Sequence, residues 1–401
     1  MSWLDDVLSQ HKEFESPTMF WYWSALAALS ATLRDKVWLD KFAYKLYPNV
    51  YIMLHADSGM RKGPPVSMAK QLVSPLHLTK MIVGRSSIQG ILKELGTSET
   101  LPDGTINKNV SAFICASELA SSFVDDSAVT GILVDLYDRN YNTEAWKSTL
   151  KQEVFALNGA TLTMLTATNE AMISELYGNR EIKGGYFART FIVREEELQT
   201  INSLMYPPKI LPDYKKLSAY LFQVSKLRGE LYMEPNTRKF FHDWYLEFRE
   251  NAFKVKDETG TLSRLDDSIL KVAILISLGT VPEKVIHMFA IEKAIDICSK
   301  LVGNIRRAFV PDGRSLFTQE KFLLINELVN REGHMITRAQ LNRKYWMRAS
   351  MADWDTITDQ LRVSEQIDIT VIGNQVAYKM PDKVVEEWKA HYAGKIRKES
   401  I

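Results

Sequence analysis

The run Val50-Tyr51-Ile52-Met53-Leu54 constrains the chain more than any other segment. It is apolar throughout, rich in strand formers and free of polar alternation. Such a run predicts a strand covered on both faces, as in a parallel sheet. It leads into His55-Ala56-Asp57-Ser58-Gly59-Met60-Arg61-Lys62-Gly63-Pro64-Pro65 and then a helical stretch from Val66 to Leu72. Buried strand, glycine-containing loop, lysine and helix start is the order in which a chain cradles phosphate.

Further strand and helix signals follow. Val37 to Leu39, Thr79 to Gly84, Ala112 to Ala116, Leu157 to Leu165 and Phe191 to Val193 read as strands, and Ser86 to Leu95 and Val129 to Tyr137 as helices. Strands alternating with helices over residues 37–193 predict an α/β domain with a mostly parallel sheet. Pro102-Asp103-Gly104 reads as a hairpin turn. Ahead of this region, Ser16-Pro17-Thr18 starts a helix whose Met19 to Leu33 stretch is apolar nearly all round. That composition belongs to a buried helix, and the stretch is too short to span a bilayer. Its aromatics Phe20, Trp21, Tyr22 and Trp23 are expected in a core rather than against bases.

From Asp213 the pattern turns helical, over about 213–254, 263–279 and 289–309. Val310-Pro311-Asp312-Gly313 reads as a linker. Helical stretches at 317–331, 337–345 and 351–364 then precede strands at 367–371 and 375–378, the order of a winged helix. The expected division is residues 1–36 as an N-terminal helical segment, 37–210 as the α/β core, 211–312 as a helical region and 313–401 as the winged helix with a basic tail.

Lysine plus arginine number 50 against 49 aspartates and glutamates, a net charge of +1. This excludes a protein that binds nucleic acid by bulk charge, and also an acidic disordered chain. Two distant cysteines, Cys115 and Cys298, make neither a disulfide framework nor a zinc ribbon and read as buried thiols in a reducing cytoplasm. The seven histidines show no metal-ligand spacing. No apolar signal core opens the chain.

Aligned on Lys62, the pattern GxxxxGK[ST] finds Ala56, Arg61 and Gly63 where it wants Gly, Gly and Ser or Thr. Gly59 and Lys62 carry the phosphate reading, with Lys62 on the outer phosphates and Arg61 adding charge. A surface loop with a basic pair is the alternative. Ser117-Glu118 ends a buried strand, where an acid holds Mg²⁺ through water or polarises an attacking water. A helix-starting carboxylate reads the same way. Asn169 ends the next strand, either sensing a terminal phosphate or capping a helix. Arg189 precedes the last strand, either as an arginine reaching phosphate or as a surface ion-pair partner. In order along the chain, the loop, Glu118 and Asn169 point to one crevice at the carboxyl edge of a sheet, and they supply something for Arg189 to reach, often across a subunit boundary.

The order Pro48 to Leu54, Ser58-Gly59-Met60-Arg61-Lys62-Gly63-Pro64, an acid-bearing strand, then Gly185 to Arg189 before a strand, resembles the RecA-like P-loop ATPase domains of phages, plasmids and other mobile elements. Those domains often form the helicase part of primase–helicase proteins. The resemblance spans about residues 16–310 and includes the apolar helix ahead of the loop. It implies an ATP- and Mg²⁺-dependent, helicase-like motor that forms a hexameric ring on single-stranded DNA, in replication of a mobile element within a bacterial cytoplasm. Residues 58–63 (Ser58, Gly59, Met60, Arg61, Lys62 and Gly63) would bind nucleotide. Lys62 would be the Walker A lysine, Glu118 the Walker B glutamate beside Ser117 at the metal, Asn169 the sensor and Arg189 the arginine finger. Gly63 replaces the hydroxyl that ligates Mg²⁺, and Ser117 replaces the acid before the glutamate. No primase or polymerase domain is present, so priming would come from a separate protein.

The third helix of the winged-helix segment carries Asp353, Asp355 and Asp359 against Arg362. Those acids oppose phosphate. Basic residues lie instead at Arg338, Arg343, Lys344 and Arg348, and in the tail at Lys389, Lys395, Arg397 and Lys398. Either DNA is met by an unusual face or the winged helix docks protein, and the placement favours docking or non-specific backbone contact over sequence-specific reading. The stretch Asn140 to Lys151, with Arg139, Lys147 and Lys151, reads as a DNA-facing loop or as a solvated hairpin. Two other functions stand beside the motor: a non-hydrolysing replication adaptor or loader that recruits a partner through its winged helix, and an origin-binding initiator, against which the acidic helix argues.

Overall fold

The computed structural model describes residues 2–83, 88–96, 99–100, 106–107, 110–116, 127–138, 146–150, 153–157, 159–169, 185–203, 205–252, 260–309, 318–345, 351–373 and 375–392. They form two compact units, Met1–Phe309 and Val310–Ile401. The segments expected at 1–36 and 37–210, and residues 211–309 of the helical region, therefore share one unit.

The first unit is built on a five-stranded, all-parallel sheet. Its strands are β1 (Tyr51–His55), β2 (Lys80–Val83), β3 (Ser111–Ala116), β4 (Thr161–Thr168) and β5 (Thr190–Arg194), in the order β5-β1-β4-β3-β2. Every residue of β1, β3 and β4 is buried, as their apolar sequences predict for strands covered on both sides. Ile52, Leu54, Phe113, Cys115, Leu165, Ala167, Phe191 and Val193 face one core. Tyr51, Met53, Ala112, Ile114, Met164 and Ile192 face the other.

The helices are α1 (Trp3–His11), α2 (Thr18–Leu33), α3 (Gly63–Val73), α4 (Ile88–Gly96), α5 (Ser127–Asp138), α6 (Tyr214–Val224), α7 (Pro235–Ala252), α8 (Leu265–Leu278) and α9 (Met288–Phe309). The first core holds α2, α3, α6, α8 and α9; the second holds α4 and α5. In α2 every residue from Phe20 to Leu33 is buried, and Trp23 packs its ring 4.9 Å from that of Phe191. The aromatic run is core, as expected. Lys80, buried at the start of β2, donates from Nζ to the carbonyls of Glu94 (2.5 Å) and Leu95 (3.2 Å). It closes the carboxyl end of α4, where a cation suits the helix dipole.

Three sequence expectations are corrected. Val37–Asp40 is a strand, but outside the main sheet: it pairs with Lys45–Leu46 and with Gly229–Glu230. The stretch read as one helix over 213–254 is two, separated by short strands at 229–233. Gly229 there has φ +96°, which a helix cannot hold. The strand read from Leu157 to Leu165 divides between a hairpin (Trp146–Leu150 with Glu153–Leu157) and β4.

The second unit runs α10 (Thr318–Asn330), β6 (Met335–Thr337), α11 (Arg338–Tyr345), α12 (Met351–Val363), β7 (Asp368–Ile372), β8 (Gln375–Lys379) and α13 (Asp382–Tyr392). Its sheet is antiparallel, in the order β6-β8-β7. The expected three helices and hairpin are present, with β6 added as a third strand. Trp354 is fully buried among Leu324, Leu328, Leu341, Ile357 and Tyr378, while Trp346 lies outside the described residues. Among the described residues, no helix is long and apolar enough to cross a membrane.

Candidate functional site

The strand order locates a crevice. From β1 the chain goes to β2, at the far end of the sheet beyond β4 and β3. From β4 it goes to β5, on the other side of β1. The adjacent strands β1 and β4 thus send their connections in opposite directions, which opens a crevice outside their carboxyl ends. His55 lies level with Thr168 of β4 and Arg194 of β5. The Ala56 N–H donates to the Thr168 carbonyl (3.4 Å), and the Glu195 N–H to the His55 carbonyl (3.1 Å). Residues 56–62, Asn169 and Glu195 therefore meet at one edge.

Within the loop, Gly59 has φ +92°, a left-handed conformation that side chains resist. Asp57, Ser58 and Gly59 are exposed, while Met60, Lys62 and Gly63 are partly covered. Lys62 immediately precedes α3, and its Nζ turns back to donate to the carbonyls of Ala56 (2.6 Å) and Asp57 (2.8 Å). These two carbonyls are neutral acceptors, and a phosphate oxygen taking the place of either would form an ion pair with the ammonium.

Arg61 takes a different part. It has φ +49°, and its guanidinium turns aside to Glu15, Nε to Oε2 at 2.6 Å. That bond holds the Glu15 carboxyl below its usual range, and a bond from the Asn202 N–H adds to it. The Ser16 hydroxyl donates to the Arg61 carbonyl (2.7 Å). Arg61 thus anchors the loop to the segment after α1.

Helix α3 opens with Gly63-Pro64-Pro65. A helix start normally offers N–H groups to an anion. Proline has none, so two first-turn donors are absent. Gly63 also brings no hydroxyl to the place where the motif has Ser or Thr. Among the described residues no group of three acidic, histidine or cysteine side chains could hold a metal ion. The described residues thus fit phosphate at Lys62 but do not supply a magnesium site. Ser117 and Glu118, expected at the metal, lie outside the described residues, as do Arg139 and Lys151; Lys147 lies on the strand Trp146–Leu150.

Arg189 does not join the crevice. It precedes β5, and Thr190 lies level with Tyr51, the first residue of β1. In a parallel sheet this is the amino edge, the length of a strand away from the loop. The side chain is 6% exposed. Its Nε and Nη2 both donate to the Asp138 carboxylate, and Nη1 donates to the Gly185 carbonyl (2.7 Å). It forms a buried ion pair rather than a surface pair, and within this chain it lies away from the loop.

The sequence reading missed Glu195. It follows β5 at the carboxyl edge, and burial, with Glu196 beside it, raises its carboxyl above the ordinary range. The signal was an acid run, Glu195-Glu196-Glu197, at the end of an apolar strand. Neither thiol belongs to the site. Burial pushes Cys115 up to about 12 and Cys298 up as well, so both stay protonated and inert.

No known family model matches the chain, and none of the curated proteins matches it.

Two outcomes follow from this geometry. Arg189→Ala strips Asp138 of a buried partner and should cost about 3 kcal/mol, read as a lower urea midpoint; an unchanged midpoint contradicts the structural role. The second concerns His11, whose carbonyl accepts from Gln199 near the Glu15–Arg61 anchor. Its ring stacks on Trp21 at 4.3 Å, contacts the Val7 carbonyl through Nδ1 (2.7 Å), and is held below the ordinary histidine value mainly by burial. The unfolded chain therefore takes up this proton first as pH falls. Stability is complete above about pH 6.5 and declines below it, through the folded-state value. Urea midpoints at acidic and neutral pH should differ less in His11→Gln than in the wild type; an equal difference assigns the pH dependence elsewhere.

Proposed function

We propose that the first unit is a RecA-like P-loop module that binds the phosphates of a nucleoside triphosphate at residues 58–63. The observation that carries this reading is Lys62, held over a loop with a left-handed glycine, at the switch-point crevice between β1 and β4. Lys62 takes the outer phosphates, the N–H groups around Gly59 line the near side, and Asn169 faces the far end of the nucleotide. In the fuller form of the proposal, ATP turnover by a ring of such chains drives movement on single-stranded DNA during replication of a phage or mobile element.

A second reading is favoured by three observations. The two prolines remove phosphate donors, Gly63 removes a metal ligand, and Arg189 is locked in a buried pair. These favour a chain that binds nucleotide without turning it over and works as a replication adaptor. The second unit then acts as a winged helix that docks protein. Among the described residues, three of its cations pair with acids: Arg338 with Asp355, Lys344 with Glu327 (2.7 Å) and Arg362 with Asp359 (2.7 Å).

ATP hydrolysis by the full chain, with and without single-stranded DNA, separates the two. The motor predicts DNA-stimulated turnover that falls about a hundredfold or more in Lys62→Ala. The adaptor predicts no turnover but nucleotide binding that Lys62→Ala abolishes. Normal turnover in Lys62→Ala, or no nucleotide binding by the wild type, overturns both.

A further inference from the structure

A second cavity, of about 520 Å³, lies at the opposite edge of the same sheet. Asn49 just before β1, Arg189 just before β5, the end of α5, the start of α8 and the hairpin around Tyr44 enclose it. The volume falls within the usual range for small-molecule sites. Its lining includes four cations, Lys45, Arg189, Arg264 and Lys271, against two carboxylates, Asp138 and Asp267. Four against two leaves an excess of two positive charges. Just outside the lining, Lys41 and Asp266 cancel one another: Lys41 Nζ binds Asp266 at 3.1 Å and Asp267 at 2.6 Å.

These charges are held in place by the fold. Lys271 is 3% exposed, donates to the Asn49 carbonyl (3.0 Å) and Oδ1 (2.9 Å), and sits 3.6 Å from the centre of the Tyr137 ring. Asn49 is fixed in turn by its Nδ2, which donates to the Tyr137 carbonyl (3.0 Å). Arg189 is fixed by Asp138 and the Gly185 carbonyl. Arg264 is the adaptable member. Its side chain is 42% exposed and touches Asp138 at 3.4 Å, the long end of a hydrogen bond. It can turn to an incoming oxyanion at small cost and form a shorter, bidentate pair. Two aromatic rings complete the wall. Tyr44 is 40% exposed and anchored through its hydroxyl to Asp267, and Tyr47 is half-buried. Such rings give a flat heterocycle a surface to stack on.

We propose that this cavity binds a 5′-phosphorylated nucleotide, its dianionic phosphate on Arg264 and Lys45 and its base against Tyr44 or Tyr47. The excess of two positive charges matches one phosphate monoester. The ligand is a free nucleoside monophosphate or the phosphorylated 5′ end of a single strand, which share this chemistry. The proposal does not depend on the loop at the other edge, because no residue is common to the two sites.

Calorimetric titration of the full chain with AMP tests it. Saturable binding of one AMP per chain is expected, retained in Lys62→Ala and weakened about ten- to hundredfold in Arg264→Ala. Lys45→Ala, at an exposed position, should weaken it as well and guards against a folding defect in the first variant. No saturable binding by the wild type overturns the proposal. So does binding that survives both cavity variants, or binding lost in Lys62→Ala. Competition then identifies the source. Displacement of AMP by a 5′-phosphorylated oligonucleotide assigns the strand end, and failure of that oligonucleotide to displace it assigns the free nucleotide. Equal displacement by an oligonucleotide without the 5′-phosphate overturns the phosphate-monoester assignment.

Discussion

The first unit depends on β1 being buried on both faces between two parallel neighbours. Tyr51 to Leu54 each bury a large side chain, worth about 1.5–3 kcal/mol apiece. Successive residues belong to different cores, Ile52 and Leu54 to one, Tyr51 and Met53 to the other. A slip of one residue would exchange both sets at once. With its register fixed on both sides, the strand delivers His55 beside Thr168 and Arg194. The following loop has no choice but to leave the sheet at the crevice between β1 and β4.

That constraint also separates the chemistry into two edges. At the carboxyl edge lie the loop, Lys62, Asn169 and Glu195, exposed enough to meet a ligand. The segment after α1 braces this edge through Glu15 and Ser16 on Arg61. At the amino edge lie Lys271 with its acceptor Asn49 and Arg189 with its partner Asp138, around the second cavity. Residues that follow a parallel strand and residues that precede one cannot share a site within one chain. Arg189 is assigned to the amino edge on that ground alone, and its buried pair with Asp138 then explains why an arginine stands there.

Much of this was legible in the sequence, for physical reasons that differ by element. Strand β1, helix α2 and the loop between β1 and α3 were legible because their signals are local: an unbroken apolar run, an all-round apolar helix, a glycine and a lysine at a helix start. The small sheet that pairs Val37 with Gly229 was not, because its partners lie far apart in sequence and each strand is only a few residues long. The break between α6 and α7 was carried by Gly229, whose left-handed backbone the helical pattern around it concealed. The role of Arg61 was hidden because its partner Glu15 sits in a segment with no motif of its own. The place of Arg189 was legible in principle. A residue just before a parallel strand belongs to the amino edge, and that rule outranks its place in a motif.

The central claim is that residues 58–63 and Asn169 form a phosphate site at the carboxyl edge. Backbone amide exchange of the full chain, with and without ATP, tests it most directly. The account predicts slowed exchange at Gly59 to Gly63 and at Asn169 with ATP, and no such slowing in Lys62→Ala. Unchanged exchange throughout the loop at saturating ATP, or slowing confined to the amino edge around Arg189 and Lys271, would contradict it.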